Sequence, residues 1–238
     1  MPKSLSEREL MEASEKKISR LSRRKFLGYA GAAAGLMVVA TACSKEPGME
    51  NNRTSVDGEV DLGTGDIGIL NYAYALEQLE AAFYTQVIKT PYASISANET
   101  AMLTDIRDHE IAHREFFKNA LGGKAIGPLE FDFSKITFSS RDSVLGTAKA
   151  FEDLGVSAYN GAGRLIMSAD YLVLAGKIVS VEARHAAYIR DLISNGSFAD
   201  MTVVDAMGLD VTRKPLEVLA IAGTYIKTKI NATNLPTY

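Results

Sequence analysis

The sequence predicts an all-α protein built as an antiparallel four-helix bundle, and two observations lead to this prediction. First, the spacing Glu-x-x-His occurs twice, at Glu110 with His113 and at Glu182 with His185. Second, a further glutamate lies in similar surroundings before each pair, so the chain reads as a duplicated pair of helices. Because residues three apart on a helix point to the same side, the Glu and His of each pair can bind one metal ion.

The first helix pair is indicated by apolar spacing and by end signals. Residues 66–89 place apolar side chains at helical intervals, and Pro91 ends this helix. Ser96 and Glu99 have the spacing of a capping box, which predicts that the second helix starts there. Gly122 is a helix stop signal after the last apolar position. Two neighbouring helices of similar length are therefore expected.

The second pair follows a long connection. Residues 124–140 contain proline and three phenylalanines and are expected to join the second helix to the third. Helices are predicted over residues 141–167 and 169–195, and a shorter one over residues 215–230. A long crossover between the second and third helices is typical of one class of four-helix bundle. The last helix is expected to pack on the bundle or on a partner subunit, which makes a homodimer plausible.

The two predicted helix pairs match in register around Glu77 and Glu152. Each glutamate follows an apolar residue, precedes a leucine by two positions, and precedes a tyrosine by seven. Glu80 lies one turn after Glu77 and could also face inward, but its counterpart in the second half is Gly155. The repeat therefore favours Glu77 as the inward-facing metal ligand.

This pattern resembles the ferritin-like di-iron and di-manganese carboxylate proteins, in which two helices each give a glutamate and two each give a Glu-x-x-His. The stretch from Leu70 to Tyr84 is similar to the first helix of exported ferritin-like proteins, which include desiccation-related proteins. The resemblance implies a ferritin-like bundle that binds two metal ions, Fe or Mn, with Zn also compatible. It implies six metal ligands: Glu77, Glu110, His113, Glu152, Glu182 and His185.

Two alternatives remain at this stage for neighbouring residues. His109 to His113 reads HExxH, the zinc-protease signature, but such a site needs a third protein ligand and the only other histidine is His185. Tyr84 and Tyr159 are either core aromatics or hydrogen-bond partners of the ligand carboxylates.

The N-terminal segment predicts export. Residues 22–27 form a twin-arginine motif, and the small and apolar run over residues 28–42 is short for a membrane span. A Tat signal therefore covers residues 1–43, although a short membrane anchor would also fit. Cys43, the only cysteine, resembles the lipidated cysteine of bacterial lipoproteins; cleavage after Ala42 would instead free the domain. We expect the periplasm or cell envelope as location.

Four segments follow from these assignments. The signal over residues 1–43 is followed by a polar tether over 44–65, the bundle over 66–196, and a C-terminal extension over 197–238. Without the signal, acidic residues outnumber basic ones, which argues against nucleic acid as a partner.

The ligand set indicates redox chemistry as the function. Two divalent ions neutralise four carboxylates, and such centres suit reaction with O2 or H2O2, in a catalase-like, peroxidase-like or ferroxidase-like oxidoreductase acting in oxidative or desiccation stress. The alternative is a non-catalytic envelope-associated stress or binding protein with a structural metal site.

Overall fold

The computed structural model describes residues 58–237. The predicted Tat signal, Cys43 and the first part of the predicted tether lie outside the described residues. The elements are, in chain order, β1 (Val60–Asp61), α1 (Gly65–Lys89), α2 (Ala97–Leu121), α3 (Arg141–Gly163), α4 (Ala169–Ile193), α5 (Pro215–Ala222) and β2 (Ile230–Asn231). The predicted all-α fold, with its four long helices and a C-terminal helix, is confirmed.

The four long helices pack in the pairs that the repeat predicts, α1 with α2 and α3 with α4. α1 is buried on nearly all sides from Gly68 to Tyr84, whereas α2 and α4 each bury a narrower face. A helix that is apolar all round belongs in the interior, while an amphipathic helix covers it from outside. The core therefore runs along α1 and the facing side of α3.

The predicted capping box begins α2. The Ser96 hydroxyl accepts a hydrogen bond from the Glu99 N–H at 3.1 Å, and the Glu99 carboxylate accepts one from the Ser96 N–H at 3.1 Å. These two bonds satisfy N–H groups that have no partner inside the helix. The helix ends at Leu121, and Gly122 follows with a φ of 52°.

α3 ends at Gly163, earlier than the predicted residue 167. The Asp66 carboxylate accepts hydrogen bonds from the backbone N–H groups of Met167 and Ser168 at 2.8 and 2.9 Å. These N–H groups are thereby removed from the helical hydrogen-bond ladder, and Ser168 caps the start of α4 instead. A contact from the distant start of α1 thus sets this boundary.

The C-terminal helix is also shorter than the predicted residues 215–230. α5 ends at Ala222, and the chain beyond it makes sheet contacts instead of helical ones. β2 pairs in parallel with β1, and Ile226 forms an antiparallel bridge with Phe131 of the α2–α3 connection. Pairing with distant strands has replaced the local helix.

β1 lies within the segment expected as a tether, and Leu62 is fully buried. Residues 60–63 therefore pack on the domain. Among residues 58–237, no helix is both long and apolar enough to cross a membrane.

The α2–α3 connection is fixed to α1 by two buried amides. The Asn71 side chain donates to the Lys124 carbonyl at 3.0 Å and accepts from the Ile126 N–H at 2.9 Å. The Gln78 side chain accepts from the Leu129 N–H at 2.9 Å. These bonds satisfy backbone groups that would otherwise be buried without partners.

Candidate metal centre

The six side chains predicted as ligands meet in the middle of the bundle. α1 contributes Glu77 and α3 contributes Glu152, while α2 and α4 each contribute a Glu-x-x-His pair. All four glutamates are fully buried, although carboxylates rarely are. The spacing of three residues within α2 and α4 directs both members of each pair to the same interior position.

Ligand atoms from these residues form two overlapping groups, each within 4.8 Å. One group is Glu77, His113, Glu110 and Glu182; the other is Glu152, His185, Glu110 and Glu182. Glu110 and Glu182 therefore belong to both groups. This arrangement has the form of two adjacent metal positions, each with one glutamate and one histidine of its own and two glutamates between them.

Through Nδ1, each histidine faces one carboxylate of the opposite helix pair and one of its own pair. His113 Nδ1 lies 2.8 Å from Glu182 Oε1 and 3.4 Å from Glu77 Oε2. His185 Nδ1 lies 2.8 Å from Glu110 Oε1 and 3.5 Å from Glu152 Oε2. The two halves of the site are thus built in the same way, as the sequence repeat suggests.

Buried polar atoms without hydrogen-bond partners show that the cluster suits a cation. Both carboxylate oxygens of Glu110 and Glu182, one oxygen each of Glu77 and Glu152, and Nδ1 of His113 and His185 have no such partner. Buried polar atoms normally have one, because each unsatisfied atom costs about 1–3 kcal/mol. All of these atoms belong to the two groups, so the residues present fit a pair of metal ions.

The oxygens of Glu77 and Glu152 that face away from the cluster are held by tyrosines. Tyr84 of α1 donates its hydroxyl hydrogen to Glu152 Oε1 at 2.5 Å, and Tyr159 of α3 donates to Glu77 Oε1. Each tyrosine thus binds the glutamate of the other half. Burial, followed by the neighbouring carboxylates, raises the pKa of both tyrosines well above the usual range, so both are neutral donors.

A comparison with known families identifies the fold. The model of the ferritin-like domain matches residues 65–195, which is more than half of the chain. The chain belongs to the ferritin-like domain family. No curated protein matches it. The ferritin-like match spans α1 to α4 and contains all six residues of the candidate metal centre.

The protons of this ferritin-like site are distributed unequally when no metal is bound. Burial and then the Glu182 carboxylate raise the pKa of Glu110 to about 8. Burial would raise the pKa of Glu182 too, but the imidazolium groups of His113 and His185 beside it outweigh burial and lower that pKa to about 2. Burial would lower the pKa of His185, but Glu152 and Glu110 raise it to about 12.

His109 does not join His113 as the HExxH reading would require. Its Nδ1 lies 2.9 Å from Nε2 of His185, on the side of that ring opposite the cluster, and the two rings stack 5.2 Å apart. Neither metal-capable group found in residues 58–237 includes His109. A hydrogen bond to the outer ring nitrogen of a metal-binding histidine orients the ring and selects its tautomer. The arrangement argues against a zinc-protease site.

Glu80 is buried beside the cluster but belongs to neither group. Its Oε1 lies 3.1 Å from the position that a Cβ on Gly155 would occupy. Gly155 is the residue that matches Glu80 in the repeat, and its lack of a side chain leaves the space that Glu80 uses. Burial and then Glu110 raise the pKa of Glu80 well above its usual range.

Sequence reasoning left both details open. It allowed His109 to be either exposed or beside a metal ligand, and only the packing of α2 against α4 shows that it contacts His185. The repeat favoured Glu77 over Glu80 as the ligand but left open whether Glu80 faces inward, and the structure shows that Glu80 is buried.

Proposed function

We propose that this chain is an exported dinuclear metal protein that binds two Fe or Mn ions and reacts with O2 or H2O2, as protection against oxidative or desiccation stress. The observation that carries the proposal is the pair of overlapping ligand groups that share Glu110 and Glu182. Glutamates common to both groups suit two ions held close together, whereas a single structural ion would need only one group.

The donor chemistry supports the choice of metal. Carboxylate oxygens with one imidazole at each position suit Fe and Mn and also permit Zn. Two divalent ions carry as much positive charge as the four glutamates carry negative charge. When bound, Fe or Mn would supply a change of oxidation state that the side chains by themselves do not offer.

The protein's own residues would orient the ligands and keep water out. Tyr84 and Tyr159 each fix one carboxylate oxygen and leave the other facing the cluster. His109 holds the outer nitrogen of His185. The fully buried carboxylates indicate a site shielded from bulk water, where electrostatic interactions are stronger than in solution.

Export is the part of the proposal that rests on sequence alone. The twin-arginine motif and the apolar run after it support delivery by the Tat pathway to the periplasm or envelope, with Cys43 as the candidate for lipid attachment. Tat carries folded proteins, so metal would be bound inside the cell, where metal supply is controlled.

The test is the metal content of the full chain isolated from its exported compartment, counted for Fe, Mn and Zn, together with turnover of O2 and H2O2. Glu77→Gln is expected to lose metal and turnover. Glu80→Gln is the matched control, since both glutamates are buried on α1 one turn apart, and it should keep its metal. Zinc alone or no metal in the wild type would refute the redox proposal and favour the structural or binding function.

A further inference from the structure

An apolar pocket lies at one end of the bundle, beside the candidate metal centre. It is formed by the first part of α1, the last parts of α2 and α3, and the first part of α4. Its volume is about 560 Å³ including the open mouth, and about 30 Å³ is left for the centre of a water-sized molecule. The lining side chains carry no charge, and tyrosine hydroxyls are their only polar groups.

The pocket exists because the two halves of the repeat differ in side-chain size at several matching positions. Four lining positions carry alanine where the other half carries a larger apolar residue. Ala158 corresponds to Phe83, Ala162 to Val87, Ala175 to Leu103 and Ala120 to Leu192.

The opposite end of the bundle shows what the larger residues do. Phe83 is fully buried, with its ring 5.0 Å from that of Tyr84 and 5.1 Å from that of Phe151. Leu103 is also fully buried. The alanines leave space open at one end of the bundle, and larger side chains fill the corresponding space at the other end. The pocket is therefore a feature of one end only.

One wall of the pocket is shared with the metal centre. Tyr159 lines the pocket, and its hydroxyl donates to Glu77. Tyr84, its counterpart in the repeat, is not among the lining residues. Only the Tyr159 side chain would therefore separate a molecule in the pocket from the metal position formed by Glu77 and His113. The same molecule would not lie next to the position formed by Glu152 and His185.

We propose that this pocket binds a small uncharged apolar molecule, either dioxygen or the end of a hydrocarbon chain, and holds it against Tyr159. Water is a poor occupant, because a buried water needs two to four polar partners. The interior space corresponds to about two or three water-sized groups, at roughly 10–15 Å³ each. The pocket's use as the approach to a reacting metal rests on the proposed function, but its binding of apolar molecules does not.

The test uses NMR of the metal-free full chain with xenon and, separately, n-hexane as probes. Binding should shift the ring resonances of Tyr159 and leave those of Tyr84 unchanged. Binding of xenon alone assigns the pocket to a dioxygen-sized gas, and binding of both assigns it to hydrocarbon chains. The proposal is overturned if neither probe binds, or if Tyr84 responds as strongly as Tyr159.

Variants that fill the pocket make the test specific. Ala175→Leu and Ala120→Leu introduce the residue that the other half already carries, so both should fold, and each should weaken xenon binding by about tenfold or more. Ala187→Leu is the matched control, since it is half-buried on the same helix as Ala175 and outside the lining. Equal xenon affinity in all four proteins would reject the pocket as the binding site.

The metal content of the exported protein, measured before its metal is removed for NMR, separates the two proposals. Xenon binding with the expected variant pattern but without Fe or Mn in the exported protein would support the pocket and refute the redox function. Fe or Mn in the exported protein without xenon binding would refute the pocket and support the redox function.

Discussion

Two glycines in α3 should respond in opposite ways to the same substitution. A Cβ added at Gly146 would meet no atom within 4 Å, whereas one added at Gly161 would lie 1.8 Å from the Arg213 carbonyl oxygen. The Arg213 N–H also donates to the Ser157 carbonyl at 3.0 Å, so the chain before α5 crosses α3 in close contact. Gly161→Ala must push this segment away, while Gly146→Ala changes only helix propensity.

The magnitudes follow from these distances. Alanine is favoured over glycine inside a helix by about 1 kcal/mol, so Gly146→Ala should raise the free energy of unfolding by about that amount. At Gly161 the same gain is opposed, because the Arg213 carbonyl oxygen must move by nearly 2 Å to reach an ordinary contact distance of about 3.5 Å from the new Cβ. Overpacking of about 1–3 kcal/mol and a weakened hydrogen bond of about 1 kcal/mol give a net loss of roughly 1–3 kcal/mol.

The assay is thermal and urea-induced unfolding of both variants beside the wild type. For a domain of this size, 1 kcal/mol corresponds to about 2–4 °C in Tm. We expect Gly146→Ala to unfold above the wild type and Gly161→Ala below it. If Gly161→Ala is as stable as Gly146→Ala, the close approach of the Arg213 backbone to α3 is refuted.

Three further predictions concern the metal centre and a buried ion pair. Binding of Mn²⁺ at 100 times its dissociation constant should stabilise the metal-free protein by about 2.7 kcal/mol per site, seen as a rise in Tm; an unchanged Tm would contradict binding to the folded state. Metal affinity should rise with pH, because Glu110 holds a proton below its pKa of about 8 and His185 below about 12, and metal must displace both. Calorimetry in buffers of different ionisation enthalpy would measure this proton release, and its absence would reject the protonated metal-free site. Arg190→Leu should cost about 3 kcal/mol in urea unfolding, since this buried guanidinium donates twice to Asp153 at 2.8 Å. The exposed-pair control Arg107→Leu should cost less than about 1 kcal/mol, and equal losses would contradict the prediction.

Local sequence signals were sufficient to predict the long helices and the six side chains that meet inside the bundle. Apolar spacing and the Ser96–Glu99 capping box predicted the long helices within a few residues, because both act within one or two turns. The ends of α3 and α5 were misplaced, because Asp66 and β1 determine them from far along the chain. Local patterns do not contain such contacts.

The sequence by itself determined which residue types repeat at helical spacing, and so which six side chains could share one interior position. Only the tertiary structure decided which residues of the two halves contact each other: Tyr84 binds Glu152, Tyr159 binds Glu77, and His109 contacts His185. It also decided that alanines at one end leave a pocket. Helical periodicity fixes the direction in which a side chain leaves its helix. The residue that it contacts depends on how neighbouring helices are packed, and this packing is set by the whole core at once.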